Sequence, residues 1–150
     1  MSAGVHHRPS PLVGSIREGP GGEGAPGSGE GSGRMTDVRA VAWDDIPAEE
    51  VYPGITRQVV HGERQTLVRY VYQPGSVFPQ HHHPQEQVTA VLRGRIEFDV
   101  AGTRRVFGPG EVAVIPGDVP HGARVVGDEV VETLNALSPR RDEAPGPNRG

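Results

Sequence analysis

The chain has 150 residues, enough for one domain, with abundant glycine (22) and proline (15) and only 5% aromatics, which favours turn-rich β structure over a helical bundle. A net charge of −4 argues against general nucleic-acid binding, and the absence of cysteine excludes disulfides and thiolate metal sites. No apolar run reaches the roughly 20 residues needed to span a bilayer, and the N-terminus lacks a signal-peptide stretch, so a soluble cytoplasmic protein without membrane or nucleic-acid partners is expected.

Residues 1–34 hold ten glycines and four prolines, and such a segment cannot bury enough apolar surface to offset its ordering entropy. It is expected to be a disordered arm, and His6 and His7 within it are not assigned a function. Met35 opens "MTDVRAVAWDDIP", an ordinary protein start, so Met35 is a candidate initiator. The chain therefore reads as an arm (1–34), a barrel domain (35–141) and a disordered tail (142–150).

A short helical turn is expected over 43–50, "WDDIPAEE". Apolar alternation then predicts strands at Thr56–His61, Thr66–Tyr72, Gln87–Arg93, Arg95–Val100, Arg104–Phe107, Glu111–Ile115, Ala123–Val126 and Val130–Leu137. Breakers such as Gly94, Gly108-Pro109-Gly110 and Pro116-Gly117-Asp118 separate them. Short strands at this spacing, with no longer helix between them, indicate an antiparallel sandwich or small barrel. His61 reads as a polar residue at a strand end. On the strand 66–72, residues 68, 70 and 72 share a face, so Tyr70 and Tyr72 can enter a pocket together.

Between the second and third strands lies "PGSVFPQHHHPQEQ", residues 74–87. On an extended segment His81 and His83 point to one face, roughly 6.6 Å apart, and His82 to the other. Two imidazoles can then converge on one ion. Gln87 follows after Pro84 has turned the chain, and Glu86 faces away from it. If Gln87 points inward, so do Thr89 and Val91. "GEVAVIPGDVPH" delivers His121 from a distant segment.

These residues resemble the two motifs of the cupin family. Gly75, His81, His83, Gln87 and Gly94 match the spacing G-x5-H-x-H-x3-E-x6-G, with glutamine in place of glutamate. Gly110, Pro116, Gly117 and His121 match G-x5-P-x-G-x2-H-x3-N, and Asp118 and Val125 depart from its usual residues. The resemblance covers roughly residues 38–141. It implies an all-β antiparallel double-stranded β-helix, the jelly-roll cupin barrel. It also implies one divalent metal held by His81, His83, Gln87 and His121 in the barrel mouth. Four neutral ligands would leave the ion its full charge, a strong Lewis acid. Imidazole and amide oxygen suit Zn, Ni, Fe, Cu or Mn alike.

"HHHPQEQ", "WDDIP" and "YPGI" (52–55) further resemble the KdgF-type cupins, which act on 4,5-unsaturated uronates. Their "D-x-F-S-P-P-R" ending corresponds to "NALSPRR", residues 135–141. Asn135 replaces the aspartate, Leu137 the phenylalanine, and Arg141 matches the arginine. An amide cannot act as a general base. The expectation is a KdgF-like scaffold with an altered pocket, in which Asn135, Arg141, Tyr70 and Tyr72 are the candidate catalytic residues for a small carbonyl or carboxylate substrate. Arg141 could bind a carboxylate bidentately. Isomerase- or lyase-type chemistry heads the reading; an Fe(II) or Cu(II) dioxygenase and a non-catalytic sugar- or small-molecule-binding module are the alternatives. A homodimer is expected, with the Val-, Ile- and Trp43-containing segment 38–60 as its pairing element.

Overall fold

The computed structural model describes residues 37–142. The arm expected over 1–34 and most of the tail lie outside them. Trp43–Asp45 form a short 3-10 turn. Ten strands follow: β1 (Glu49–Tyr52), β2 (Ile55–His61), β3 (Thr66–Tyr72), β4 (Val77–His81), β5 (Glu86–Arg93), β6 (Arg95–Val100), β7 (Thr103–Phe107), β8 (Val112–Ile115), β9 (His121–Val126) and β10 (Val131–Ser138). They form a six-stranded sheet, β1-β2-β3-β10-β5-β8, and a four-stranded sheet, β4-β9-β6-β7. The pairings among the described strands are antiparallel, and the architecture is the jelly-roll barrel expected. Among the described residues no helix is long and apolar enough to cross a membrane.

All eight expected strands form, two with the expected ends and six with an end shifted by one or two residues. Two further strands were not expected. The segment 43–50 is helical only over its first turn, and its last two residues open β1. β4 contains Pro79, which weakens any strand reading because proline cannot donate to a ladder. The structure resolves the conflict by placing β4 at a sheet edge, with a register shift against β9 between Phe78 and His81.

Period-two alternation decides what faces inward. β3 buries Thr66, Val68, Tyr70 and Tyr72, and β10 buries Val131, Thr133, Asn135 and Leu137. β5 buries Gln87, Thr89 and Val91. The facing sheet contributes Phe78, Ile96, Phe98, Phe107 and Ala123. Edge-to-face rings join the layers, with Tyr70 and Phe78 centroids 5.6 Å apart and Tyr52 and Phe78 4.8 Å apart. One end of this interior is apolar. The other carries the polar and imidazole side chains.

Gly94 closes the β5–β6 turn at φ +73°, and a Cβ there would sit 2.5 Å from the Val130 carbonyl oxygen. Both the left-handed backbone and the close approach require glycine.

A candidate metal centre at the barrel mouth

His81 ends β4, His83 follows in the turn, Gln87 lies at the start of β5 and His121 opens β9. β4 and β9 pair with His81 directly opposite His121. The turn bearing His83 is pinned from below by the 116–118 turn. The Asp118 N–H donates to the His83 carbonyl at 2.7 Å, with Asp118 itself in the left-handed region at φ +62°. A Cβ at position 117 would meet the Pro84 carbonyl oxygen at 2.3 Å, so only glycine lets the two turns close.

The three rings gather with centroids 4.3 Å (His81–His121), 4.9 Å (His83–His121) and 5.5 Å (His81–His83) apart. Their ligand nitrogens all lie within 4.8 Å of one another. One device sets all three tautomers. Nδ1 of His81 lies 3.0 Å from the Pro79 carbonyl, Nδ1 of His83 3.0 Å from that of Gln85, and Nδ1 of His121 2.8 Å from that of Val119. A carbonyl only accepts, so each Nδ1 carries the proton and donates it. Each Nε2 is left as a lone pair. The Nε2 of His121 is buried and has no hydrogen-bond partner. A buried polar atom left bare is costly, and a cation is the partner that a converging lone pair fits.

Electrostatics agree. Burial lowers the pKa of His81 to about 4, with the other two histidines and Arg141 adding to the effect. His83 and His121 are also lowered, first by burial and then by the Arg141 charge. All three are therefore neutral near pH 7, the state in which imidazole binds a metal. Gln87 is buried, with Oε1 3.2 Å from the His83 Nε2. The residues present fit a divalent ion held by three imidazoles and one amide oxygen. His82 is exposed, and so is Glu86.

The remaining candidates fall around the same cleft. Tyr70, Tyr72, Asn135 and Arg141 all line it. Burial pushes the Tyr70 phenol up to about 12 and raises that of Tyr72 further still. Both stay protonated and act as hydrogen-bond donors or acceptors, never as phenolates near neutral pH. Arg141 is held through its backbone: its N–H donates to Thr66 Oγ1 at 3.0 Å.

Phe78, Phe98 and Arg57 were not singled out in the sequence. Phe78 forms a wall of the cleft from β4, the strand that Pro79 concealed. Arg57 is 6% exposed on the inner side of β2, opposite Tyr70, and hydrogen-bonds that tyrosine. It is also paired with Glu49 at 2.8 Å. Its signal was available: in "ITRQV" the arginine occupies the inward phase between Ile55 and Val59.

A cupin-domain family model matches residues 68–137. Polyketide synthase CurC of Streptomyces cyaneus is 35% identical over 118 residues, covering 78% of this chain and 75% of that protein. The chain is a cupin. Among solved structures, KdgF from Halomonas sp. superposes with a TM-score of 0.61 at 30% identity, covering 66% of this cupin and 91% of KdgF. The polyketide cyclase RemF from Streptomyces resistomycificus gives a TM-score of 0.60 at 23% identity, over 68% of this cupin and 80% of RemF, a likeness of fold. The resemblance to KdgF read from the sequence thus extends to the backbone.

Proposed function

We propose that this cupin is a metal-dependent enzyme acting on a small carbonyl compound, by keto–enol chemistry of the isomerase or lyase type. The observation that carries the reading is the convergence of three Nε2 lone pairs, one of them buried and unpartnered, beside the Gln87 amide oxygen. A divalent ion held there keeps its full charge and supplies Lewis-acid polarisation of a carbonyl oxygen. The chain's own residues do the rest. Arg141 offers a cation at the mouth for an enolate or carboxylate oxygen, and the protonated Tyr70 offers a hydroxyl. Phe78, Phe98 and Leu137 add apolar wall to the cleft beside these polar groups.

Two likenesses bear on the substrate. The resemblance to KdgF-type cupins read from the sequence holds at the ligand positions, yet position 135 is an amide here, so the proton acceptor that resemblance implies for the uronate reaction is missing. The Streptomyces cyaneus relative is named a polyketide synthase, and a polyketide chain carries carbonyls β to one another. We therefore favour a β-polycarbonyl substrate over an unsaturated uronate.

The test begins with metal analysis of protein prepared without added metal, followed by parallel absorbance assays on a β-polycarbonyl surrogate and on a 4,5-unsaturated uronate. Bound metal with turnover of the first substrate and little of the second supports the reading. Uronate turnover near the roughly 10 per second median of enzymes would assign the KdgF reaction instead. Oxygen uptake with bound iron or copper would assign a dioxygenase. Metal without any turnover would leave a binding module.

A further inference from the structure

Asn135 stands where a related enzyme's acid–base group would be, yet its surroundings give it different work. A side-chain amide has two N–H donors and an oxygen with two lone pairs. All four are engaged. Nδ2 donates to the Val68 carbonyl at 3.2 Å and to Thr133 Oγ1 at 2.9 Å. Oδ1 accepts from Thr89 Oγ1 at 2.6 Å and from Gln87 Nε2 at 3.3 Å. Asn135 is 2% exposed and has no polar valence left for a substrate.

The direction of these bonds is fixed from one end. The Val68 carbonyl can only accept, so the nitrogen of Asn135 must face it and the oxygen must face Gln87. That oxygen can only accept, so Gln87 must turn its nitrogen toward Asn135. Thr89 Oγ1 accepts a second Gln87 N–H at 2.9 Å and donates its own O–H to Asn135 Oδ1. The Gln87 oxygen is thereby left facing His83 and the imidazole cluster. At the far end, Thr133 accepts from Asn135 and hydrogen-bonds the Tyr72 oxygen. The donors run one way along the chain Gln87, Thr89, Asn135 and Thr133, away from the metal centre. A cation on the Gln87 oxygen would draw electron density from its N–H bonds and strengthen each bond downstream.

We propose that Asn135, with Thr89, is a positioning residue that sets which end of the Gln87 amide faces the metal. This inference rests on the metal-centre reading above. It gives the amide at position 135 a reason: a carboxylate could also accept from Gln87 and Thr89, but it would set an oxygen, not a donor, against the Val68 carbonyl and leave that buried acceptor without its partner.

The first arm of the test needs no metal. In the ¹⁵N-labelled metal-free protein the Gln87 side-chain N–H protons should exchange slowly with solvent. Thr89→Val and Asn135→Leu should each restore fast exchange, and Thr89→Ser, which keeps the hydroxyl, should preserve protection. Fast exchange in the wild type, or protection surviving in both Thr89→Val and Asn135→Leu, would overturn the proposal. The second arm measures zinc affinity by chelator competition. Thr89→Val and Asn135→Leu should each lose about 10–100-fold, the range typical of partners that orient a ligand. In a Gln87→Ala background the same changes should cost little further, because they act through Gln87. An equal loss in that background would overturn the proposal. If wild-type protein bound no divalent ion at all, the metal reading would fail while the exchange arm still decided the orientation. Should Asn135→Leu not fold, the Thr89 pair carries both arms alone.

Discussion

A metal-binding histidine must be both neutral and aimed, and His81, His83 and His121 achieve both from their immediate backbone. Each gives its Nδ1 proton to a carbonyl two residues away, and burial disfavours the charged ring. Removing a ligand should remove the ion: His81→Ala, His83→Ala or His121→Ala should each drop metal content to near zero by elemental analysis, while His82→Ala, whose ring is exposed, should leave it unchanged. The reverse pattern at 81 and 82 would contradict the assignment. The lowered pKa values also fix a pH dependence for the metal-free protein. Unfolded histidines titrate near 6.5, whereas folded His81 resists protonation down to about 4. Below pH 6.5 the unfolded chain therefore binds protons that the folded chain refuses. Stability should be full above pH 6.5 and fall steadily toward pH 4, read as melting temperature in a pH series. A flat profile across that window would show that the rings protonate freely in the folded state.

At the scale of elements, the site depends on two turns meeting, 82–85 above and 116–118 below. Gly117→Ala would push a methyl group to 2.3 Å from the Pro84 carbonyl oxygen. The backbone must move, at about 1–3 kcal/mol by analogy with overpacked cores. That corresponds to a melting temperature lower by roughly 4–8 °C per kcal/mol for a domain of this size. Metal affinity should fall with it, since His83 and His121 flank the displaced turns; an unchanged melting curve would contradict the close approach. Much of this was legible beforehand because it obeys strict spacing. His81 and His83 share a face by period two, Gly94 and Gly117 sit where turns demand them, and the inward phase of Gln87 carries Thr89 with it. What stayed hidden was non-local. Pro79 breaks the strand pattern, and only the edge position beside β9 makes β4 permissible. The inward phase of Arg57 is legible in its own strand, but its partner Tyr70 comes from β3. Nor could spacing reveal that Asn135 is saturated, because its partners come from three strands, β3, β5 and β10.

For the whole molecule, the outer face of the six-stranded sheet poses the question of assembly. Register aligns Val60, Leu67, Ala136, Val88 and Val114 in one row across β2, β3, β10, β5 and β8. Val112, Val114 and Leu92 are 55%, 63% and 47% exposed. We propose that two copies bury this face in a homodimer, with the 3-10 turn, tied to β2 by Gln58 Nε2 on the Trp43 and Ile46 carbonyls at 2.7 Å, at its margin. Light scattering at micromolar concentration should give twice the chain mass, and Val114→Glu should halve it without loss of metal. A monomeric wild type would count against the face. The other sheet behaves oppositely, and Pro79 is the reason. Its outermost strands are β4, which lacks one N–H at that proline, and β7, which displays Arg104 and Arg105. A foreign strand arriving at either margin meets a missing donor or a pair of guanidinium groups. Edge-to-edge growth of this sheet is thus disfavoured at both margins, which leaves the open sheet faces, not the strand edges, as the places where a second copy can dock.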